Sequence, residues 1–295
     1  MKILVTGGSG IIGKYLIDSL SEEHEITSIL KDKIKNPTFS YSPNVKIDFA
    51  DITSKNLNEI IEDTNPDIVI HLASRTGLKN CEEDPKIAFQ TNVFGTYNVI
   101  KSCIRTNSKL IFFSSKEVYG ESDNLISEDS LKMPKNVYGL SKMLAENLVL
   151  YAHEKLNLDY VILRVTNVFD KKNKHNGLNK ILYSAKHENK IDVYGGDQIL
   201  SPIYIEDLID IVKLIIENEK TTNQIFNVGS KEFFTLKQII QQILIFSKKK
   251  IQINYLSIPN FENKSLKINS EKSEKILNFK PKYKLKNIIE EYFKE

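Results

Sequence analysis

The sequence predicts an α/β fold: a doubly wound parallel sheet followed by a smaller, mixed α/β C-terminal lobe. Three observations carry that expectation. From the first residue, short β-branched or aliphatic runs alternate with longer stretches of helical periodicity, and parallel strands need long return connections of that kind. A glycine-rich turn separates the first run from the first helical stretch. After about residue 166 the alternation loosens.

Strands are expected over residues 3–6, 25–30, 45–49, 67–72, 110–114 and 160–165, most of them flanked by turn residues. Between them, residues 11–21, 56–63, 85–106 and 138–156 read as helices, because apolar side chains recur at helical spacing. In the loosened part, extended pieces at 191–194, 202–205, 225–228 and 251–256 mix with helices at 205–217, 236–246, 271–277 and 285–292. Residues 1–166 are read as the sheet domain and 167–295 as mostly the lobe, with later strands free to return to the sheet. No internal repeat or low-complexity tract interrupts this order.

A chain of 295 residues, 41% of them hydrophobic, can bury a large core. The net charge of +3 is close to balance, which argues against a nucleic-acid or membrane surface, and the lysine-rich last third reads as solvated exterior. Cys81 and Cys103 have no His or Cys neighbours at metal-ligand spacing, so no metal site is expected, and they read as thiols in a reducing cytoplasm. No apolar run approaches the roughly 20 residues of a membrane span, and the first strand follows Met1 without the marks of a signal peptide. A soluble, cytoplasmic protein is expected.

Thr6-Gly7-Gly8-Ser9-Gly10-Ile11-Ile12-Gly13 follows a strand and opens a helix. Gly7 permits the tight turn, Gly10 lets backbone approach a pyrophosphate, and Gly13 allows close helix–strand packing. The helix start adds amide donors and the positive end of a dipole. In this context the turn predicts a dinucleotide site of the Rossmann type, with Gly7, Ser9, Gly10, Ile11, Ile12 and Gly13 as contacts. An NAD enzyme usually carries an acid at the end of the second strand for the ribose hydroxyls. Here that stretch reads Leu30-Lys31-Asp32, so the lysine favours the 2′-phosphate of NADP, whereas Asp32, displaced by one, leaves NAD as the alternative. Asp51-Ile52 lies just past the third strand, where the carboxylate is placed to accept from an adenine amino group or to cap the next helix.

Tyr138 and Lys142 stand at i and i+4 of a predicted helix and so share a face. An ammonium beside a phenol lowers the phenol pKa towards the working range, which suits a general acid/base. Ser114-Ser115 ends the fifth strand, at the edge of an open α/β sheet where ligands bind. The Ser115 hydroxyl is placed there to share a substrate oxygen with Tyr138.

With these motifs together, the chain resembles an extended short-chain dehydrogenase/reductase of the nucleotide-sugar epimerase/dehydratase type. The residues that carry the resemblance are the glycine turn, Asp51, His71-Leu72-Ala73-Ser74, Asn92-Val93-Phe94-Gly95-Thr96, Ser114-Ser115-Lys116-Glu117-Val118-Tyr119-Gly120, Tyr138-Gly139-Leu140-Ser141-Lys142 and Asn167-Val168. Weaker matches follow at Gly195-Gly196-Asp197-Gln198, 203–208 and Phe226-Asn227-Val228-Gly229. The resemblance implies that Tyr138 is the acid/base, that Lys142 binds the nicotinamide ribose, and that Ser115 holds the substrate hydroxyl. It further implies that Leu72, Ala73, Ser74, Asn92 and Ser114 line the cofactor, and that Asn167 contacts the phosphate or sugar. The implied substrate is a nucleotide-diphosphate sugar, with hydride exchanged at a hexose carbon, commonly C4.

Two departures bear on the reaction. Dehydratases of this type usually carry an acid, or a serine, before the glutamate, where this chain has Lys116-Glu117. Glu117 suits a base, whereas Lys116 cannot serve as that acid unless its pKa falls far. The arginine that clamps a diphosphate is missing from 198–202, and Arg75, Arg105 and Arg164 are the arginines of the chain. Arg75, Lys116, Lys264 and Lys267 are the cations left for the substrate. The expected activity is an NADP-dependent 4-ketoreductase, with an NAD-dependent 4-epimerase next and a 4,6-dehydratase third. A non-catalytic NADP sensor is the rival from another class, and the intact Tyr138, Lys142 and Ser115 speak against it. Apolar residues in 85–106 and 138–156 exceed what one sheet face needs, which predicts a homodimer.

Overall fold

The computed structural model describes residues 1–32, 42–172 and 177–294. Its centre is a seven-stranded parallel sheet. From one edge to the other the strands run Gln224–Val228, Tyr160–Val165, Lys109–Ser115, Ile68–His71, Lys2–Thr6, Glu25–Leu30 and Val45–Phe49. Strand order therefore reverses between Lys2–Thr6 and Ile68–His71, and an open sheet of this kind leaves a crevice at the carboxyl ends there. The central strands are almost wholly buried because helices cover both faces, whereas the edge strand Val45–Phe49 is largely exposed.

Two apolar cores follow from that layering. One joins Ile3, Val5, Leu16 and Ile111 to Ile205, Leu208 and Ile240 of the lobe. The other packs Leu4, Val69 and Phe112 against Val99 of helix Thr96–Thr106 and Ala145 and Val149 of helix Val137–Leu156. The edge strand Gln224–Val228 comes from beyond residue 166 and pairs with Tyr160–Val165, so chain from the lobe completes the sheet.

The expected helix over 85–106 is interrupted. Pro85–Phe89 and Thr96–Thr106 are α-helical, but Gln90–Gly95 winds as a π-turn. Such a bulge swings one side chain out of register, and here it presents Asn92 to the interior. The helix Gly177–His187 was not expected, although Leu178, Ile181, Leu182 and Ala185 have helical spacing. Short parallel pairs, Ser122–Ile126 with Leu266–Ile268 and Val168–Phe169 with Ile203–Tyr204, tie the lobe to the loops above the sheet. No helix among the described residues is long and apolar enough to cross a membrane.

Candidate active site

A cleft of about 790 Å³ opens over the strand-order reversal. Its floor is the glycine turn. Gly7 has φ +75°, and a Cβ on it would come within 2.6 Å of the Ala73 nitrogen. A Cβ on Gly13 would meet the Gly7 oxygen at 2.6 Å and Gly8 Cα at 2.8 Å. Backbone therefore lies where side chains would fill the cradle, and helix Ile11–Leu20 starts there without a side-chain cap, which suits a pyrophosphate.

Ser9, Gly10, Ile11 and Ile12 join Gly7 and Gly13 on the cleft wall, with Lys31, Asp51 and Ile52 at one end and Leu72, Ala73, Ser74 and Arg75 along the side. Ser114, Ser115, Tyr138 and Lys142 complete it. At the far end Lys31 pairs with Asp51 at 2.9 Å. Burial acts to raise the Asp51 carboxyl, but hydrogen bonds from Thr53 and the Lys31 charge outweigh it and hold the group below its ordinary value.

His71 is buried between Thr6 Oγ1 (2.7 Å) and Thr96 Oγ1 (3.0 Å), and burial lowers it to about 3. It is a neutral linker between strand and helix.

Tyr138 and Lys142 stand in helix Val137–Leu156, whose start is fixed by Asn136 accepting from the Gly139 amide at 2.7 Å. Ser115 and Tyr138 share the cleft wall, where the Ser115 hydroxyl, accepting from the Glu117 amide at 3.2 Å, acts to lower the phenol. The structure departs from the expectation that Lys142 lowers this phenol. Burial, then the Glu117 carboxylate, push Tyr138 well above its ordinary range, against the smaller pull of Ser115. The Lys142 ammonium lies over the Phe112 ring at 4.4 Å, and burial lowers it to about 7.

Four expected site residues stand off the cleft wall. Asn92 is buried behind it, accepting from Ser74 Oγ (2.9 Å) and the Arg75 amide (2.7 Å) and donating to Ser141 Oγ (2.8 Å). Its amide holds the 74–75 loop, part of the cleft wall, against the Tyr138 helix. Lys116 and Glu117 are buried as a pair at 3.9 Å. Burial lowers Lys116, against the opposing charges of Glu117 and Glu262. Glu117 Oε2 accepts from Asn136 at 2.9 Å and from Asn263, which descends from the lobe, at 2.8 Å. Asn167 sits between the cleft residues Thr166 and Val168, and its Oδ1 is buried without a partner.

Sequence reasoning missed Asn179 on the cleft, because its helix was not recognised, and Asn136 and Asn263, whose bonds to Glu117 join residues distant in sequence. It also missed Glu146. This carboxylate is completely buried, accepts from Arg164 Nε and Nη2 at 2.9 Å each, and receives Ser114 Oγ at 2.5 Å and Lys132 Nζ at 3.2 Å. Arg164 extends the network to Tyr119 Oη (2.7 Å), which donates to Asn227 of the edge strand at 2.6 Å.

A glycine cradle at the switch point, with serine, tyrosine and lysine converging on its open side, defines a dinucleotide-dependent enzyme of the extended short-chain dehydrogenase/reductase class. Residues 3–229 match the model of the NAD dependent epimerase/dehydratase family, and the chain belongs to that family. A dTDP-4-dehydro-6-deoxyglucose reductase from Escherichia coli is 30% identical over 86% of this chain and 84% of its own length. A UDP-glucose 4-epimerase from Mycoplasma pneumoniae is 26% identical, over 98% and 94% of the two chains. Among solved structures, the UDP-glucuronic acid 4-epimerase of Bacillus cereus, in complex with UDP-glucuronic acid and NAD, superposes with a TM-score of 0.91. It is 25% identical, with 100% of this chain and 99% of that one covered.

Proposed function

We propose that this protein is an NADP-dependent 4-ketoreductase of nucleotide-diphosphate sugars. The observation that carries the reading is the convergence of Ser115 and Tyr138 on one side of the glycine-lined cleft, with Lys142 one turn along the same helix. When bound, the dinucleotide supplies a hydride to the sugar carbonyl carbon. Ser115 orients the carbonyl oxygen, and Tyr138 gives that oxygen its proton as charge develops on it. A phenol that burial and Glu117 keep protonated is in the form a reduction needs, whereas oxidation of an alcohol must begin from the phenolate. Lys142 binds the nicotinamide ribose and stabilises the phenolate left behind.

Lys31 supports NADP, because it follows the second strand on the cleft wall with Leu30 where a ribose-binding acid usually stands, and a 2′-phosphate there competes with Asp51 for its ammonium. Arg75, exposed on the cleft wall, is the cation we assign to the diphosphate. Asn167, between the cleft residues Thr166 and Val168, is the residue we assign to a sugar hydroxyl, which its buried Oδ1 reaches only by turning toward the cleft. Lys116 in place of an acid, and a Glu117 already accepting two amide donors, disfavour dehydration. The second reading, an NAD-dependent 4-epimerase, is favoured by the likeness to epimerases across nearly the whole chain.

One assay separates them. A 4-ketoreductase consumes NADPH with a 4-keto nucleotide sugar, and Lys31→Ala lowers the preference for NADPH over NADH by about 10-fold, the loss of one charge-assisted contact. Interconversion of two nucleotide sugars without added cofactor, by protein that retains NAD from purification, would replace the reductase by the epimerase. Exposed Phe94 (64%), Tyr97 (50%) and Tyr151 (60%) on the helices flanking the sheet support a homodimer. Light scattering is expected to give about 68 kDa, twice the 33.9 kDa chain, and a monomeric mass would remove that part of the proposal.

A further inference from the structure

We infer that Glu146 is a positioning residue: a buried carboxylate one helical turn beyond Lys142 that holds the ammonium charge in the cleft and fixes Ser114 on its wall. The inference rests on the reading of Tyr138 and Lys142 as the reacting pair. Glu146 touches neither cleft nor ligand, being completely buried beneath Ser114. Residues four apart on a helix share a face, so its carboxylate lies on the Lys142 side of helix Val137–Leu156.

The groups facing Lys142 make Glu146 decisive. From its own helix these are Tyr138 and Glu146. From strand Lys109–Ser115 comes the Phe112 ring, and from strand Ile68–His71 comes His71, which burial keeps neutral. Burial alone drives the amine towards its free form, and among the described residues Glu146 is the carboxylate whose charge opposes that. The same carboxylate is ringed by cations, Arg164 in two bonds and Lys132 in one, and these keep it ionised although it is buried. A charge held in this way does not need to be drawn from solvent when the phenol beside Lys142 gives up its proton.

The experiment reads Lys142 directly. Trace acetylation of the unliganded protein across roughly pH 5 to 10, followed by peptide mass spectrometry, gives the midpoint at which the Lys142 amine becomes reactive. In the wild type that midpoint is expected at about 7. In Glu146→Gln it is expected to fall by about one pH unit, the effect of losing one nearby charge. The alkaline limb of the kcat profile should move the same way, and Glu146→Asp should restore most of both. A purely structural role would lower folded yield without moving the midpoint. Should the single variant fail to fold, Glu146→Gln/Arg164→Gln is compared with Arg164→Gln, because these two proteins both lack the guanidinium and differ only in the carboxylate, and the midpoint should again fall by about one pH unit between them. An unmoved midpoint in a folded variant overturns the inference. A wild type that labels as expected yet turns over no nucleotide sugar sinks the reductase and epimerase readings instead, and leaves the Glu146 result standing.

Discussion

Tyr138→Phe is expected to lower kcat by about 10³-fold while leaving dinucleotide affinity and thermal midpoint within error of wild type. The substitution deletes one hydroxyl, on the same cleft wall as Ser115, and keeps the ring that fills that wall. Loss of turnover without loss of binding is the signature of an interaction made in the transition state rather than in the ground state. Steady-state kinetics with the 4-keto substrate, set beside a fluorescence titration of the dinucleotide, checks both halves. A sensor that binds dinucleotide without chemistry would be indifferent to the change. Retention of full activity would therefore end the enzymatic assignment of this tyrosine.

Arg164→Met is expected to destabilise the fold by about 3–5 kcal/mol, the usual penalty for leaving one partner of a buried ion pair alone. The guanidinium is 2% exposed and is fully engaged, with Glu146, Tyr119 and the Glu128 carbonyl as acceptors. Without it the Glu146 carboxylate keeps only Lys132, at the protein surface side, and Ser114. Replacing the pair together, as Glu146→Leu/Arg164→Met, should restore much of the loss, because two apolar side chains leave no buried charge behind. Urea unfolding at neutral pH measures all three proteins. A single variant as stable as wild type would show that Lys132 and water compensate the carboxylate.

The contrast between these two side chains explains what was legible in the sequence. Tyr138, Lys142 and the glycine turn act through local spacing: an i, i+4 pair, and a turn directly after an apolar strand. Each can be read from a few neighbouring letters, as can the central strands, whose observed limits fall within two residues of those expected. Glu146 and Asn263, and Asn136 in its bond to Glu117, act through partners 14 to 146 residues away, and a single polar letter carries no trace of them. Asn92 was legible as a motif residue but not in its role, since the π-turn that points it inward leaves no composition signal. The pKa of Lys142 was illegible for a related reason. Its spacing to Tyr138 is local, but the burial that decides its charge is tertiary.

The lobe was harder still. Two-residue and three-residue strands such as Val168–Phe169 and Leu266–Ile268 are too short for any periodicity, and their parallel partners lie far along the chain. Helix Gly177–His187 had a readable apolar stripe that was overlooked, and with it went Asn179.

The edge strand Gln224–Val228 also bears on how the polypeptide is made. Synthesis runs from the amino terminus, so Tyr160–Val165 leaves the ribosome long before the segment that flanks it in the finished sheet. Until then one row of its amide and carbonyl groups has no native neighbour, and an uncovered row of that kind is a template for a stray chain. Helix Val137–Leu156 is already present to screen one face, helix Ile205–Glu217 follows to join the core on the other, and neither covers its rim. Assembly is thereby bound to the late arrival of a short peptide whose Asn227 also closes the hydrogen-bond chain running through Tyr119 to Arg164.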